Sequence, residues 1–200
     1  MNAGDFRWQV DILAFTEVED GQYAWTPVDR VWAKMERQSR VAVYAKYGVS
    51  ADSIKFTIHS RPGLSLHNAL RFVSSDNEHC FLTGIDPSIP GFLTLTVALT
   101  AVRGCVVERT KTTRGALNRP EVSKLPPLIF PGIVTEKWIR QEQSEPMSYS
   151  ETRYILVTPK VISVEVGELV RIDDREYEVV IPHTLDSYKN EYEVLRRGDN

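Results

Sequence analysis

The amino-acid sequence predicts an all-β protein made of two tandem small β-barrel modules joined by an extended linker or arm. Three observations favour this fold class. Strand-like segments dominate the chain, a weak internal repeat relates its two halves, and a stretch rich in Gly, Pro and cations separates them. A length of 200 residues suits two small domains. We predict a first module at 1–105, the linker or arm at 106–130, and a second, smaller module at 131–200.

The first module begins with strongly strand-like segments. Residues 6–15 are rich in β-branched and aromatic side chains, and the turn dipeptide Asp20-Gly21 separates them from a second apolar segment. Residues 53–61 alternate apolar and polar side chains with the period of a half-buried strand. Beyond a Pro-Gly break, the segments ALRFV and HCFLTGI flank an acidic turn and predict a hairpin, which a long strand follows. Closing such strands into a barrel removes exposed sheet edges.

A polar insert is predicted at residues 36–52, between the second and third strand segments. It is basic and carries tyrosines, a mixture that suits contact with phosphates or stacking on a partner. Its apolar spacing allows a short helix, and a long loop fits equally well. A solvated loop or a cap over one end of the barrel is the plainer interpretation. The candidate channel-facing or DNA-facing residues of the insert are Arg37, Arg40, Tyr44, Lys46 and Tyr47.

Strand patterning fades again after the first module, where Gly, Pro, Lys and Arg accumulate. Long segments without regular structure in compact proteins usually bind or link. Residues 106–130 are therefore predicted to form an arm between subunits, and a simple linker is the alternative. The candidate residues of this arm are Arg109, Lys111, Arg114, Arg119 and Lys124.

An internal repeat relates the strands on either side of the arm. Each half has a strand, a Pro, a second strand, an acidic turn and a third strand, with one more strand after a gap. Leu70-Arg71-Phe72 lies opposite Val170-Arg171-Ile172, 100 residues later, and Phe92 lies opposite Tyr192 at the same distance. Few residues are identical, so the order of the pieces, rather than identity, predicts two similar β-modules.

The histidines and cysteines do not predict a metal or catalytic site. His59, His67, His79 and Cys80 lie close in sequence but lack the spacing of converging ligands. Adjacent residues on a strand point to opposite faces, so His79 and Cys80 cannot readily bind one ion. We expect surface histidines and a core cysteine. The acidic pairs lie in turns or alternate along strands, and no phosphate-binding or nucleophile-elbow motif occurs, so we expect no enzyme, catalytic residue, metal or cofactor.

Charge and hydropathy narrow the class of protein further. The formal net charge is only −3, which gives no electrostatic basis for free binding to nucleic acid. No apolar run approaches the roughly 20 residues that span a bilayer, and the first residues lack a secretory pattern. Two cysteines make no disulfide framework. We expect an intracellular, reduced protein with no membrane partner.

Three short motifs occur in order in the N-terminal half: Gly4-Asp5-Phe6-Arg7, Val31-Trp32-Ala33 and the strand Phe56–Arg61. Their order over residues 1–103 resembles the phage head–tail joining family, the small head closure or stopper proteins (head–tail adaptors) of tailed bacteriophages. The sequence departs from the family at His59, where an arginine is often found, and in its length, which is nearly twice the usual. The second half is similar only in strand order and lacks the GDFR start.

The resemblance implies a small β-barrel with a long loop after its second strand, here the insert 36–52. It also implies a structural role in the neck of a virion that is assembled in the host cytoplasm. Such proteins form a homo-oligomeric ring under the portal or adaptor protein, help retain packaged double-stranded DNA, and offer a face to the tail terminator or another tail protein. A dodecamer is the family default, and a hexamer of two-module chains would present the same number of modules as a dodecamer of one-module chains. The insert would then line or plug the channel.

One alternative stays open beside the connector. Tandem barrels of this size also serve as binding modules for single-stranded nucleic acid or a peptide, with aromatic platforms beside cations. The candidate aromatic residues for that function are Trp25, Trp32, Trp138 and Tyr149.

Overall fold

The computed structural model describes residues 3–37, 52–74, 78–114, 120–137, 153–184 and 186–198. Within these ranges the protein is all-β, as the sequence predicts, with one turn of 3-10 helix at Ala3–Asp5 and no α-helix. No helix in this part of the chain is long and apolar enough to cross a membrane. The strands of the described residues are β1 (Trp8–Glu19), β2 (Gln22–Arg37), β3 (Asp52–His59), β4 (Ala69–Phe72), β5 (Glu78–Asp86), β6 (Phe92–Ala101), β7 (Arg103–Val107), β8 (Thr110–Arg114), β9 (Pro120–Lys124), β10 (Leu128–Lys137), β11 (Arg153–Pro159), β12 (Leu169–Ile172), β13 (Arg175–His183) and β14 (Lys189–Arg196).

Twelve of these strands belong to one large sheet, and β8 and β9 form a separate antiparallel pair. The first six strands, which we call the first unit, pair in a cycle. β1 pairs with β4, β4 with β5, β5 with β6, β6 with β3, β3 with β2, and β2 again with β1. Their inward residues form one core, which includes Val10, Ile12, Val31, Phe56, Leu70, Cys80, Leu95 and Val97.

The second unit consists of β7 and β10–β14, and it repeats this pairing strand for strand. β7 pairs with β12, β12 with β13, β13 with β14, β14 with β11, β11 with β10, and β10 again with β7. Its core includes Cys105, Val107, Phe130, Leu156, Val170, Tyr177, Tyr192 and Val194. When the strand pairings of the two units are aligned, these eight residues occupy the positions of the eight residues named for the first core, in the same order.

The internal repeat predicted from the sequence is therefore present in the strand pairing. Both units even carry a register shift at the same place, after Leu82 in β5 and after Val179 in β13. Arg71 and Arg171 are equivalent, as predicted, but the pairing of Phe92 with Tyr192 is wrong. The turn between β12 and β13 is three residues shorter than its counterpart, so Tyr192 is equivalent to Leu95.

The segment predicted to be an unpatterned arm contains regular structure. β7 pairs with β10 and β12 and so belongs to the second unit, although it precedes residue 131. β8 and β9 pair over Thr110–Arg114 and Pro120–Lys124, and we call them the arm hairpin. In the first unit the equivalent connection, between β1 and β2, is the short turn at Asp20-Gly21. The arm hairpin is thus an elaboration of the β7–β10 turn.

The two units meet at the tip of the β1–β2 hairpin. The N–H of Ile129 donates to the carbonyl of Gly21 at 2.8 Å, and Gln22 pairs with Ile129 in parallel. Phe15 and Tyr23, near this tip, pack against the core of the second unit. A smaller cluster of Ile133, Ile155 and Val157 packs against Phe81 of the first unit. The hairpin of one unit therefore covers part of the outer surface of the other.

Candidate interaction surfaces

The predicted insert begins at the last residue of β2. Arg37 is exposed and lies opposite Ile54 on β3, so the two strands carry the chain to and from residues 38–51 at one end of the first unit. The other candidates of the insert, Arg40, Tyr44, Lys46 and Tyr47, lie outside the described residues, as do the aromatic candidates Trp138 and Tyr149. The equivalent connection of the second unit, between β10 and β11, spans residues 138–152.

The arm hairpin is anchored at its base by Arg109. The guanidinium donates to both carboxylate oxygens of Glu168, from Nε at 2.9 Å and Nη2 at 3.2 Å, and to the carbonyl of Ser163. The N–H of Leu125 donates to the carbonyl of Arg109, which closes the base of the hairpin. Of the other candidates, Lys124 is exposed at the end of β9, the backbones of Lys111 and Arg114 lie in β8, and Arg119 lies outside the described residues.

A row of charged side chains crosses three strands on the outer face of the first unit. Asp11 lies directly opposite Arg30 on β2 and Arg71 on β4. Arg30 Nε donates to Asp11 Oδ1 at 2.6 Å, and Arg71 Nη2 lies 3.6 Å from Asp11 Oδ2. The hydrogen bond from Arg30 lowers the pKa of Asp11 below its usual value of 3.8, against an opposing effect of burial. In the second unit the equivalent row is Ile129, Val106 and Arg171.

His59, His67 and His79, which are close in sequence, lie apart in different surroundings. His59 stacks on Phe6 and His67 faces Tyr188 of the second unit, and both are exposed as expected. His79 is buried against Trp25 and Phe81, so its prediction as a surface residue is wrong. It points away from the first core, and Trp25 of the β1–β2 hairpin packs beside it on that outer face. Among the described residues, no group of His, Cys, Asp and Glu side chains is arranged to hold a metal ion.

Both cysteines lie in the cores, Cys80 in the first unit and Cys105 in the second, and they are free thiols. Burial raises the pKa of each thiol to about 12. Such thiols stay protonated at neutral pH and react slowly.

A cleft of about 430 Å³ lies between the two units. Its lining includes the aromatic side chains Phe15, Trp25 and Phe81 and polar side chains from both units. Trp25 packs edge-on against Phe15 and Phe81, with ring centroids 4.9 and 5.6 Å apart. Lys160 also lines the cleft, and its Nζ donates to the carbonyls of Thr184 and Asp186, so this cation is held by its own unit.

A second surface, on β2, exposes large apolar side chains. Val28 is 59% exposed and Trp32 is 53% exposed, with Arg30 between them, and we call these alternate residues the 28–32 face. The ladder makes Ile129 and Pro131 of β10 the equivalents of Arg30 and Trp32, and both are half-buried. Large apolar side chains exposed on one face of a protein commonly mark interaction sites.

No family model, curated protein or solved structure matches the chain. The surfaces themselves are therefore the basis for a functional proposal.

Sequence reasoning missed the charged row and the cleft. Asp11 was not singled out, because the arginines that bind it come from distant parts of the chain. The signal available was the placement of a lone acid in an apolar strand, QVDILAF, with no acidic neighbour. The cleft had no signal of its own, since its walls come from both units.

Proposed function

We propose that this chain is a structural component of a tailed-phage head–tail connector, a head closure or stopper protein that assembles into a ring. The ring docks under the portal or adaptor protein, helps retain packaged DNA, and gives the tail its attachment face. We also propose that each six-strand cycle is a small barrel, so that every chain contributes two barrel modules.

The observation that carries the proposal is the position of the insert. In the first unit β2 ends at Arg37 and β3 begins at Asp52, so the chain leaves and re-enters the paired strands at one end. This is where the resemblance of the N-terminal motifs implies a channel loop after the second strand. Arg37, at the start of the insert, is exposed. A basic, tyrosine-bearing segment at the end of a rigid β-unit suits contact with DNA passing through a ring.

The chemistry of the described residues is compatible with structural work. Buried acidic side chains form ion pairs with cations of the same unit, Asp11 with Arg30 and Glu193 with Arg153. The thiols of Cys80 and Cys105 are buried, with raised pKa values. These groups stabilise the fold, and Val28 and Trp32 of β2 are left exposed in the part of the chain that the structure describes.

Reconstitution tests the proposal. Filled heads that lack this chain are mixed with the purified protein and with tails, and joined particles are counted by electron microscopy. We expect the wild-type chain to join heads to tails and to protect the packaged DNA from nuclease. Failure of the wild-type chain to bind filled heads would contradict the connector role.

The insert is tested in the same assay by deleting Arg37–Tyr47. We expect assembly to persist while DNA leaks from filled heads. A matched control replaces the same residues by an equally long Gly-Ser segment, which separates the length of the insert from its chemistry. Full retention of DNA by the deletion variant would show that the insert does not close the channel.

The cleft favours one alternative, a tandem-barrel binding module for a peptide or single-stranded nucleic acid. Trp25 lines the cleft and packs against Phe15 and Phe81, whereas Trp32 lies exposed on the 28–32 face. Fluorescence anisotropy with a labelled oligonucleotide tests this function, because binding through phosphates weakens steeply with salt. A salt-dependent complex of a monomeric chain would favour the alternative over the connector.

A further inference from the structure

We infer that the cleft between the two units binds an aromatic side chain of a partner protein. On the second unit this ring takes the place that Phe6 takes on the first. The inference deepens the proposed function, because it names the chemical group that a docking partner brings to the chain. It rests on the proposal that this chain docks other proteins, and on a comparison of equivalent positions in the two units.

On the first unit, a phenylalanine from outside the strands packs where two strands meet. His59 of β3 and Phe92 of β6 are paired at the end of their ladder, and we call these two residues the first corner. Phe6, which precedes β1, stacks on both of them. Its ring centroid lies 5.3 Å from that of His59 and 5.7 Å from that of Phe92, with interplanar angles of 19° and 21°. The first corner therefore holds an aromatic ring from another segment.

The second unit presents the equivalent corner to the cleft. Pro159 of β11 pairs with Lys189 of β14 at the end of their ladder, where the first unit pairs His59 with Phe92. We call Pro159 and Lys189 the second corner, and both residues line the cleft. The cleft is thus open space beside the position at which the first unit binds a ring.

The segment that carries Phe6 has no free counterpart in the second unit. Phe6 lies four residues before Val10 of β1, whose equivalent on β7 is Cys105. The residue four before Cys105 is Ala101, which is the last residue of β6 and pairs with Glu78. This part of the chain is held in the ladder of the first unit, so a ring at the second corner comes from outside the second unit.

The size and lining of the cleft suit such a ring. Phe15, Trp25 and Phe81 line it and already pack edge to face, an arrangement that a further aromatic ring can join. Pro159 and the aliphatic stem of Lys189 add apolar surface. The volume of about 430 Å³ exceeds the roughly 150 Å³ in which a protein cavity accepts benzene. A phenyl or indole ring therefore fits, with room for the backbone that carries it.

The charges of the cleft favour a protein side chain over a nucleobase. Single-stranded nucleic acid binds where cations that meet its phosphates lie beside aromatic rings. Both lysines that line the cleft are engaged within their own unit. Lys160 Nζ donates to the carbonyls of Thr184 and Asp186, and Lys189 Nζ lies 2.5 Å from Glu191 Oε1. An uncharged aromatic side chain makes no demand on these lysines.

Methyl NMR spectra of the full chain, titrated with two blocked pentapeptides, test the inference. One peptide is Gly-Ser-Phe-Ser-Gly, and its matched control has Ala in place of Phe. We expect the Phe peptide to shift the methyl signals of Leu82, Ile133 and Val157, which line the cleft, and to leave those of exposed Val166 unchanged. Its dissociation constant should be at least about tenfold lower than that of the Ala peptide, because the ring leaves water on binding.

Two substitutions that fill the cleft locate the bound peptide. Thr83→Trp and Val161→Trp each add a large ring at an exposed residue of the lining, one on each unit, so neither changes a core. We expect either substitution to raise the dissociation constant of the Phe peptide at least about tenfold, because the added ring takes its space. Val166→Trp is the matched control, since Val166 is exposed and does not line the cleft, and it should bind the peptide as the wild type does.

The outcomes separate this inference from the proposed function. Equal dissociation constants for the Phe and Ala peptides, or binding that neither cleft substitution weakens, overturns the inference. Displacement of the Phe peptide by a short single-stranded oligonucleotide, or by self-association of the chain, overturns it in favour of a nucleobase or a second copy. A chain that joins heads to tails but binds neither peptide overturns the inference and leaves the connector role intact. Binding of the Phe peptide in the cleft of a chain that binds no heads supports the inference and removes the connector role.

Discussion

The two units share one pattern of strand pairing and differ in how they use equivalent positions. Leu93 and Leu95 of β6 are apolar, whereas their equivalents on β14 are Asn190 and Tyr192. Asn190 donates to the carbonyls of Lys160 and Ile162, and the Tyr192 hydroxyl donates to Ile162 and accepts from the Val164 N–H. The second unit thus uses buried polar groups to hold the loop after β11. The spacing of apolar residues specifies the strand pairing that the two units share. Single polar side chains, such as Asn190 and Tyr192, then fit that pairing to the loops of one unit.

The outer faces differ more strongly than the cores. The first unit places Asp11 between two arginines and leaves the 28–32 face exposed. The second unit has half-buried Val106 and Ile129 at the positions of Asp11 and Arg30, and the backbone N–H of Ile129 donates to the carbonyl of Gly21 at the tip of the β1–β2 hairpin. A charged pair suits a face beside solvent, and apolar side chains suit a face that a neighbour partly covers. Three substitutions test these differences between the two units, at their junction, in their cores and on their outer faces.

The largest effect is expected at the junction of the units. Gly21 has a φ of 73°, and an added Cβ would meet the Pro127 carbonyl oxygen at 2.8 Å. Gly21→Ala should lower the free energy of unfolding by roughly 3 kcal/mol, from the left-handed backbone and the clash together. Gly63→Ala is the matched control, because its φ of 81° is similar and nothing lies within 4 Å. Urea denaturation measures both, and equal losses would show that the hairpin contact adds no stability.

A middle-sized effect is expected where the cores differ by one methyl group. Gly132 occupies the position of Ala33, and a Cβ there would lie 2.9 Å from both Cys105 Sγ and Leu156 Cδ1. Gly132→Ala should therefore cost roughly 2 kcal/mol through overpacking. Gly104→Ala, on the neighbouring strand with open space at its Cβ, should cost little. Thermal unfolding of the two variants makes the comparison, and a neutral Gly132→Ala would show that the second core has room to adjust.

The smallest effect is expected in the charged row and depends on pH. The pKa of Asp11 is lowered by folding, so its contribution is present above about pH 4 and is lost as the pH falls through the lower folded-state value. Asp11→Asn should cost about 1 kcal/mol at neutral pH, since Arg30 is largely exposed to solvent. Wild type and variant should converge in acid. A difference in unfolding free energy that stays constant with pH would exclude the ion pair as its cause.

Much of the fold follows from the sequence pattern. The alternation of Ile54, Phe56 and Ile58 predicts β3, and all three residues are buried as that period requires. The similar segments around Arg71 and Arg171 predict the repeat, because two units with the same arrangement of strands need apolar residues in the same order. The arm hairpin was missed because the segments TKTTR and PEVSK lack the apolar alternation that marks a strand packed on a core.

The candidate surfaces were less accessible to such reasoning. Arg109 was predicted as an arm residue for its charge, but its bond to Glu168, 59 residues later, makes it the anchor at the base of the hairpin. Trp25 and Trp32 are both tryptophans of β2. Their spacing of seven residues predicts opposite faces in a regular strand. The register shift at Val28 instead places Trp25 opposite Phe15 and Trp32 opposite Gln9, so that Trp25 lines the cleft and Trp32 is exposed.

The sequence by itself determined that the chain is all-β, that its halves are alike, and that Cys80 belongs to a core. Two-residue periodicity and strand propensity are local properties, so they can be read from neighbouring residues. The tertiary structure decided which outer faces are covered, why His79 is buried and Trp32 is not, and how Asp11 is held. Periodicity shows that the two faces of a strand differ, but burial of the outer face depends on segments that only long-range packing brings against it.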